Sequence, residues 1–216
     1  MNDLDISGCT FEACVESYEE AVRAKELGAN RIELCSRLDL DGLTPTKKTI
    51  LDVKNNVNLP IKIMIRPRGG DFIYTINEIK KMESEIDFCK ENGLNEIVLG
   101  VLTNVKEIDF NLLMRLVERS HPMGITFHKA IDQTDDIIQQ IELLCETTPV
   151  ESVLTSGGIG TLLKNKKIVK GLIDRFSSKI NLILAGSITK NNFKIIHNQF
   201  HASEYHGRKI VGDLNL

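Results

Sequence analysis

Long apolar runs are missing from the 216-residue chain, and no uninterrupted stretch approaches a membrane-spanning length. A charge excess of one sign is missing as well. The formal net charge of -3 and a pI near 6.0 provide no basic face for nucleic acid or an anionic membrane surface. There is no Cys-x-x-Cys pair and no His-rich tract, and the five cysteines, an odd number, sit on strand-like or helix-like segments. A disulfide framework is therefore not expected, and the cytoplasm is the expected compartment. The opening Met1-Asn2-Asp3-Leu4-Asp5 is acidic and lacks the basic-then-apolar order of a signal peptide. Linkers rich in Pro, Gly or Ser and low-complexity segments are absent too, so one domain over residues 1–216 is expected. With 42% hydrophobic and 26% charged residues the chain has the composition of an ordinary globular domain.

What is present is a repeating unit. In Ile61-Lys62-Ile63-Met64-Ile65-Arg66, isoleucine alternates with longer side chains, the period-two signature of a strand, and Pro67 ends the ladder. Similar strand-like runs cover Thr10–Val15, Arg31–Cys35, Ile61–Arg66, Glu96–Leu102, Gly124–Ala130, Glu151–Thr155, Asn181–Ala185 and Glu204–His206. Helical runs lie between them. Ser17 caps Tyr18–Leu27, which Gly28 stops, and Thr44-Pro45-Thr46 leads into Lys47–Asn55. Thr75 or Asn77 starts Glu78–Asn92, and Asp109–Ser120, Asp135–Glu146, Thr161–Phe176 and Thr189–Asn198 follow. About eight such units predict an α/β fold, a (β/α)₈ TIM-like barrel. The rival, a doubly wound open sheet, requires a Gly-rich turn after the first strand, where Val15-Glu16-Ser17 stands instead. Too few residues follow the last strand for a full eighth helix. The apolar surface left uncovered there leads to the expectation of a homodimer.

Alternation also sorts the strand residues by face. Phe11, Ala13, Ile32, Leu34, Ile125 and Phe127 are expected to point outward at the helices. Glu12, Cys14, Arg31, Glu33, Cys35, Thr126, His128, Glu204 and His206 then point inward, joined by Lys62 and Arg66. Buried charges cost several kcal/mol each unless paired, so a lumen this ionisable predicts a site at the carboxyl ends of the strands. Arg66-Pro67-Arg68-Gly69-Gly70-Asp71 reads in two ways. The arginine forks suit carboxylate or phosphate oxygens, or Arg and Asp pair with one another to stabilise the turn.

Taken in order, Phe11-Glu12-Ala13-Cys14-Val15, Arg31-Ile32-Glu33-Leu34-Cys35-Ser36, Gly42-Leu43-Thr44-Pro45, Met64–Phe72, Thr126–Asp132 and Leu154-Thr155-Ser156-Gly157-Gly158 resemble the CutC family. The resemblance covers nearly the whole chain and implies a TIM-like barrel with a cytoplasmic role in copper homeostasis rather than a defined reaction. It also implies Cys14 and Cys35 as metal ligands. If the register aligns them, two thiolates on adjacent strands lie about 5 Å apart, and such a pair suits soft Cu(I) better than a hard cation; without the family, each cysteine reads as buried core. His128 or His206 is a candidate third ligand. Two departures stand out: Ala185-Gly186-Ser187-Ile188 replaces a Pro-Gly-Gly-Gly-like turn, and the family commonly continues past its last strand.

The alternative is an isomerase, aldolase or lyase acting on a small anionic or phosphorylated molecule. Glu12, Glu33 and His128 would then be the acid–base candidates. Arg66, Arg68, Asp71, Ser156, Gly157, Gly158 and His206 would bind the substrate.

Overall fold

The computed structural model describes residues 8–214. Eight strands run parallel: β1 (Thr10–Val15), β2 (Arg31–Leu34), β3 (Ile61–Met64), β4 (Glu96–Leu99), β5 (Gly124–Phe127), β6 (Ser152–Thr155), β7 (Asn181–Leu184) and β8 (Glu204–Gly207). They pair in chain order, and β8 closes on β1 to make a barrel. Seven helices sheathe it: α1 (Tyr18–Glu26), α2 (Lys47–Asn56), α3 (Ile76–Glu91), α4 (Phe110–Ser120), α5 (Ile137–Thr147), α6 (Lys166–Phe176) and α7 (Phe193–Phe200). No helix among the described residues is long and apolar enough to cross a membrane.

The local chemistry explains where the elements start and stop. Ser17, Thr46, Thr75, Asp109 and Asp136 each accept a backbone N–H of the first turn that they cap. At α3 the arrangement is a full capping box with Glu78. Gly28, at φ +102°, supplies the left-handed residue after α1. Two helices start later than periodicity suggests. Thr189 and Asn192 satisfy each other's backbone N–H groups, which delays α7 to Phe193. Asn165 is held by the carbonyls of Ser156 and Gly158, and α6 begins after it. Strands β3, β4 and β5 end two or three residues earlier than the alternation suggests.

The core lies between barrel and helices. Ala13, Ile32, Leu34, Ile63, Ile97, Phe127, Leu182 and Leu184 bury their side chains there, as alternation requires. No helix follows β8 among the described residues, yet the gap is not bare. Ile210, Val211 and Leu214 are buried in the core, and the segment sits against the end of α1 and the loop before α7. These three side chains fill part of the space that an eighth helix would cover.

Candidate functional site

Parallel register sets the floor of the site, since paired residues point to the same side of the sheet. Glu12 is level with Arg31 on one side and His206 on the other, Cys14 is level with Glu33, and Glu33 with Lys62. The buried side chains form a charge-paired chain across the lumen. Glu12 Oε2 accepts from Arg31 Nε at 2.5 Å, and Arg31 continues to Glu204. Glu12 Oε1 bonds His206 Nδ1 at 2.8 Å, and His206 Nε2 lies 3.8 Å from Glu33 Oε2. Lys62 Nζ donates to Thr126 Oγ1 at 2.7 Å, between Glu12 and Glu96 at 3.7 and 3.5 Å. Every cation here faces a carboxylate, as burial demands.

This chain meets a thiol pair at its upper end. Cys14 Sγ lies 3.3 Å from Cys35 Sγ and 3.3 Å from Glu33 Oε2, while Glu33 Oε1 is buried without a partner. The Cys35 hydrogen bond, followed by burial, pushes the Cys14 thiol well above its ordinary range, so it holds its proton at neutral pH. Burial also raises Glu33, and the His206 charge only partly offsets it. Burial alone would lift Glu12 too, but the His206 hydrogen bond and the His206, Lys62 and Arg31 charges bring it down to about 2. His206 moves well above its usual value: burial opposes its charge, and Glu33, Cys14 and Glu12 outweigh that. Two groups of described residues bring metal-ligating atoms within 4.8 Å of one another: Cys14, Glu33 and Cys35, and Glu12, Glu33 and His206.

Above the floor, at the carboxyl ends of the strands, opens a cavity of about 690 Å³. Its lining includes Cys14, Glu33, Cys35, Arg66, His128, Gly158 and His206 from the sequence reading. The lumen is two-sided. Charges and sulfur occupy β8, β1, β2 and β3, whereas Leu154, Ile183 and Ala185 make an apolar patch on β6 and β7.

Several expected residues take other positions. Glu12 belongs to the ion-paired floor and does not line the cavity. Arg66 lines it, but its two terminal nitrogens are taken by the carbonyls of Leu40, Asp41, Gly42 and Gly70, its face lies on Phe72, and its buried Nε–H has no partner. Arg68 and Asp71 lie outside the cavity and pair with each other at 2.8 Å, and Glu78 takes the Arg68 Nε–H. The Arg–Asp pair of that motif thus forms between Arg68 and Asp71, without Arg66.

Ser156 and Gly157 sit behind the lining. Ser156 N and Oγ, Thr155 Oγ1 and Gly158 N all donate to Asp132, a buried carboxylate at the centre of the β6 turn. His128 lies on the Arg66 and Phe72 side; Nδ1 accepts from Ala130 N, so Nε2 carries the proton of the neutral ring and has no partner. Burial, helped by the Arg66 charge, lowers His128 to about 3. Gly100 makes room for this ring, because a Cβ there would stand 2.4 Å from it. Asp132, Lys129 and Arg208 also reach the cavity and were not singled out from sequence. Lys129 and Asp132 lie on the short 3-10 helix Lys129–Gln133 after β5, and Arg208 lies just past β8, where strand alternation no longer indicates direction.

Fold and site together define a (β/α)₈ barrel with a buried thiol pair at its mouth, backed by a carboxylate–imidazole chain. The model of the CutC family matches residues 9–211, and the chain belongs to that family. It is 40% identical over 200 residues to a human protein named copper homeostasis protein cutC homolog, covering 93% of this chain and 73% of that one. A CutC family protein of Histophilus somni is 36% identical over 182 residues, 84% of this chain and 74% of its own. The solved CutC structure from Streptococcus agalactiae superposes with a TM-score of 0.88 at 27% identity, covering 94% of this chain and 99% of that one. A phosphoribosyl anthranilate isomerase from Thermococcus kodakaraensis reaches a TM-score of 0.61 at 12% identity, over 91% and 86% of the two chains, which is a likeness of fold alone.

Proposed function

We propose that this protein takes part in copper homeostasis by holding Cu(I) as cargo between Cys14 and Cys35 at the mouth of the barrel. The observation that carries the reading is the 3.3 Å separation of two free, buried sulfurs that line a cavity of about 690 Å³. Thiolate ligands select soft Cu(I) over hard cations. Loading requires the thiol protons to leave, and the Glu33 carboxyl beside Cys14 is placed to receive one. The names of the relatives point the same way. Five cysteines without a disulfide fit a reducing compartment, which supports a cytoplasmic site of action. The enzyme alternative needed Arg66 and Arg68 as an anion clamp, and the terminal nitrogens of both already bond the protein itself.

The test is anaerobic Cu(I) competition against a chromophoric chelator, on the natural sequence and on Cys14→Ser with Cys35→Ser. Near-stoichiometric binding that disappears in the double variant is the expected result. Binding indifferent to both substitutions would remove the cysteines from the role.

A further inference from the structure

We infer that Met64 supplies a third sulfur to this site, so that copper is held by an all-sulfur set of Cys14, Cys35 and Met64. The inference rests on the copper reading above and specifies its ligands. Leu34 is paired with Ile63, so one step further along both strands Cys35 is level with Met64. Cys14 is level with Glu33, two residues before Cys35. The three sulfur side chains therefore climb diagonally across three neighbouring strands on the lumen side, and all three line the cavity.

They pack together, with Val98, as a buried cluster separate from the main core. Gly42, in the left-handed region at φ +85°, faces this cluster. A Cβ there would stand 3.5 Å from Cys35 Sγ and 3.8 Å from Met64 Cε, so loop, thiol and methionine end meet at one place. On β3 Met64 stands two residues after the inward-facing Lys62 and so shares its face, where it is buried beside the two thiols.

The chemistry favours this ligand over its neighbours. A thioether is soft and carries no charge, which suits Cu(I), and three rotatable bonds let methionine adapt to a bound ion. His206 touches Cys14 as well, but its ring is engaged with carboxylates: Nδ1 is bonded to Glu12 at 2.8 Å, and Nε2 lies 3.8 Å from Glu33. Glu33 is an oxygen donor, the wrong hardness for Cu(I).

X-ray absorption at the copper edge, with Cu(I) added anaerobically to selenomethionine-labelled protein, reads the ligand directly. A copper–selenium neighbour is expected in the natural sequence and absent in Met64→Leu, a near-isosteric change in a core. In unlabelled protein Met64→Leu should weaken Cu(I) binding about tenfold or more, whereas His206→Gln should not. A copper shell without selenium, or affinity equal in Met64→Leu and the natural sequence, overturns the inference and leaves the two cysteines in place. Loss of affinity in His206→Gln alone would give the third position to the imidazole. A natural protein that binds no Cu(I) at all overturns this inference and the copper reading together.

Discussion

His128 is buried as a neutral ring, and stability should therefore depend on pH in a way that one substitution can isolate. Its folded-state value of about 3 lies below the ordinary 6.5, through burial first and the Arg66 charge second. Between those two values the unfolded chain carries a proton that the folded chain refuses. Stability is fully present above pH 6.5 and falls as the pH falls toward 3. At pH 5 the loss amounts to about 2 kcal/mol relative to pH 7, or about 4–8 °C in melting temperature for a domain of this size. His128→Asn keeps an acceptor within reach of the Ala130 N–H and cannot titrate. Urea unfolding of both proteins at pH 7 and pH 5 measures the effect, with the remaining titrating groups cancelling in the difference. The natural protein should lose about 2 kcal/mol more than the variant over that interval. Equal losses would refute the claim that this imidazole is held neutral.

Other substitutions probe the floor and the loops. Lys62→Met removes the cation between Glu12 and Glu96 and should cost about 3 kcal/mol by leaving carboxylate buried with less compensation; a change below about 1 kcal/mol in urea unfolding would show that Arg31 and His206 suffice. Asp132→Ala strands the donors of Thr155, Ser156 and Gly158, with an expected loss of about 3–5 kcal/mol and faster proteolysis of the β6 turn. Arg68→Ala breaks a partly exposed pair and should change stability by less than about 1 kcal/mol. Cu(I) affinity should not change with it, and a large drop in affinity would return Arg68 to the site.

Alternation made the inward set readable because a strand has only two faces. Glu12, Cys14, Glu33, Lys62, His128 and His206 all point into the lumen, but the register sets Cys14 level with Glu33, and the thiols meet on the diagonal, which the sequence does not reveal. That logic stops at the last ladder bond. Strand β3 ends at Met64, so Arg68 and Asp71 lie on a loop whose direction is set by Glu78 on the next helix. Asp132 gathers donors from the turn after β6, across 23 to 26 residues of chain. Only tertiary structure reveals such a contact. The role of Ile210, Val211 and Leu214 was hidden for a different reason: a short irregular segment has no period, yet it does the covering work of a helix.

The barrel closes by joining its first strand to its last, and the wall beside the thiols is complete only when β8 docks. Cys35 leaves synthesis about 170 residues before His206. At roughly 5–20 residues per second the gap is on the order of ten to thirty seconds. During that interval both thiols sit on a growing polypeptide without the Glu12–His206 contact that seals the ring. The fraction of protein recovered with both thiols reduced should therefore depend on how reducing the surroundings are before β8 pairs with β1.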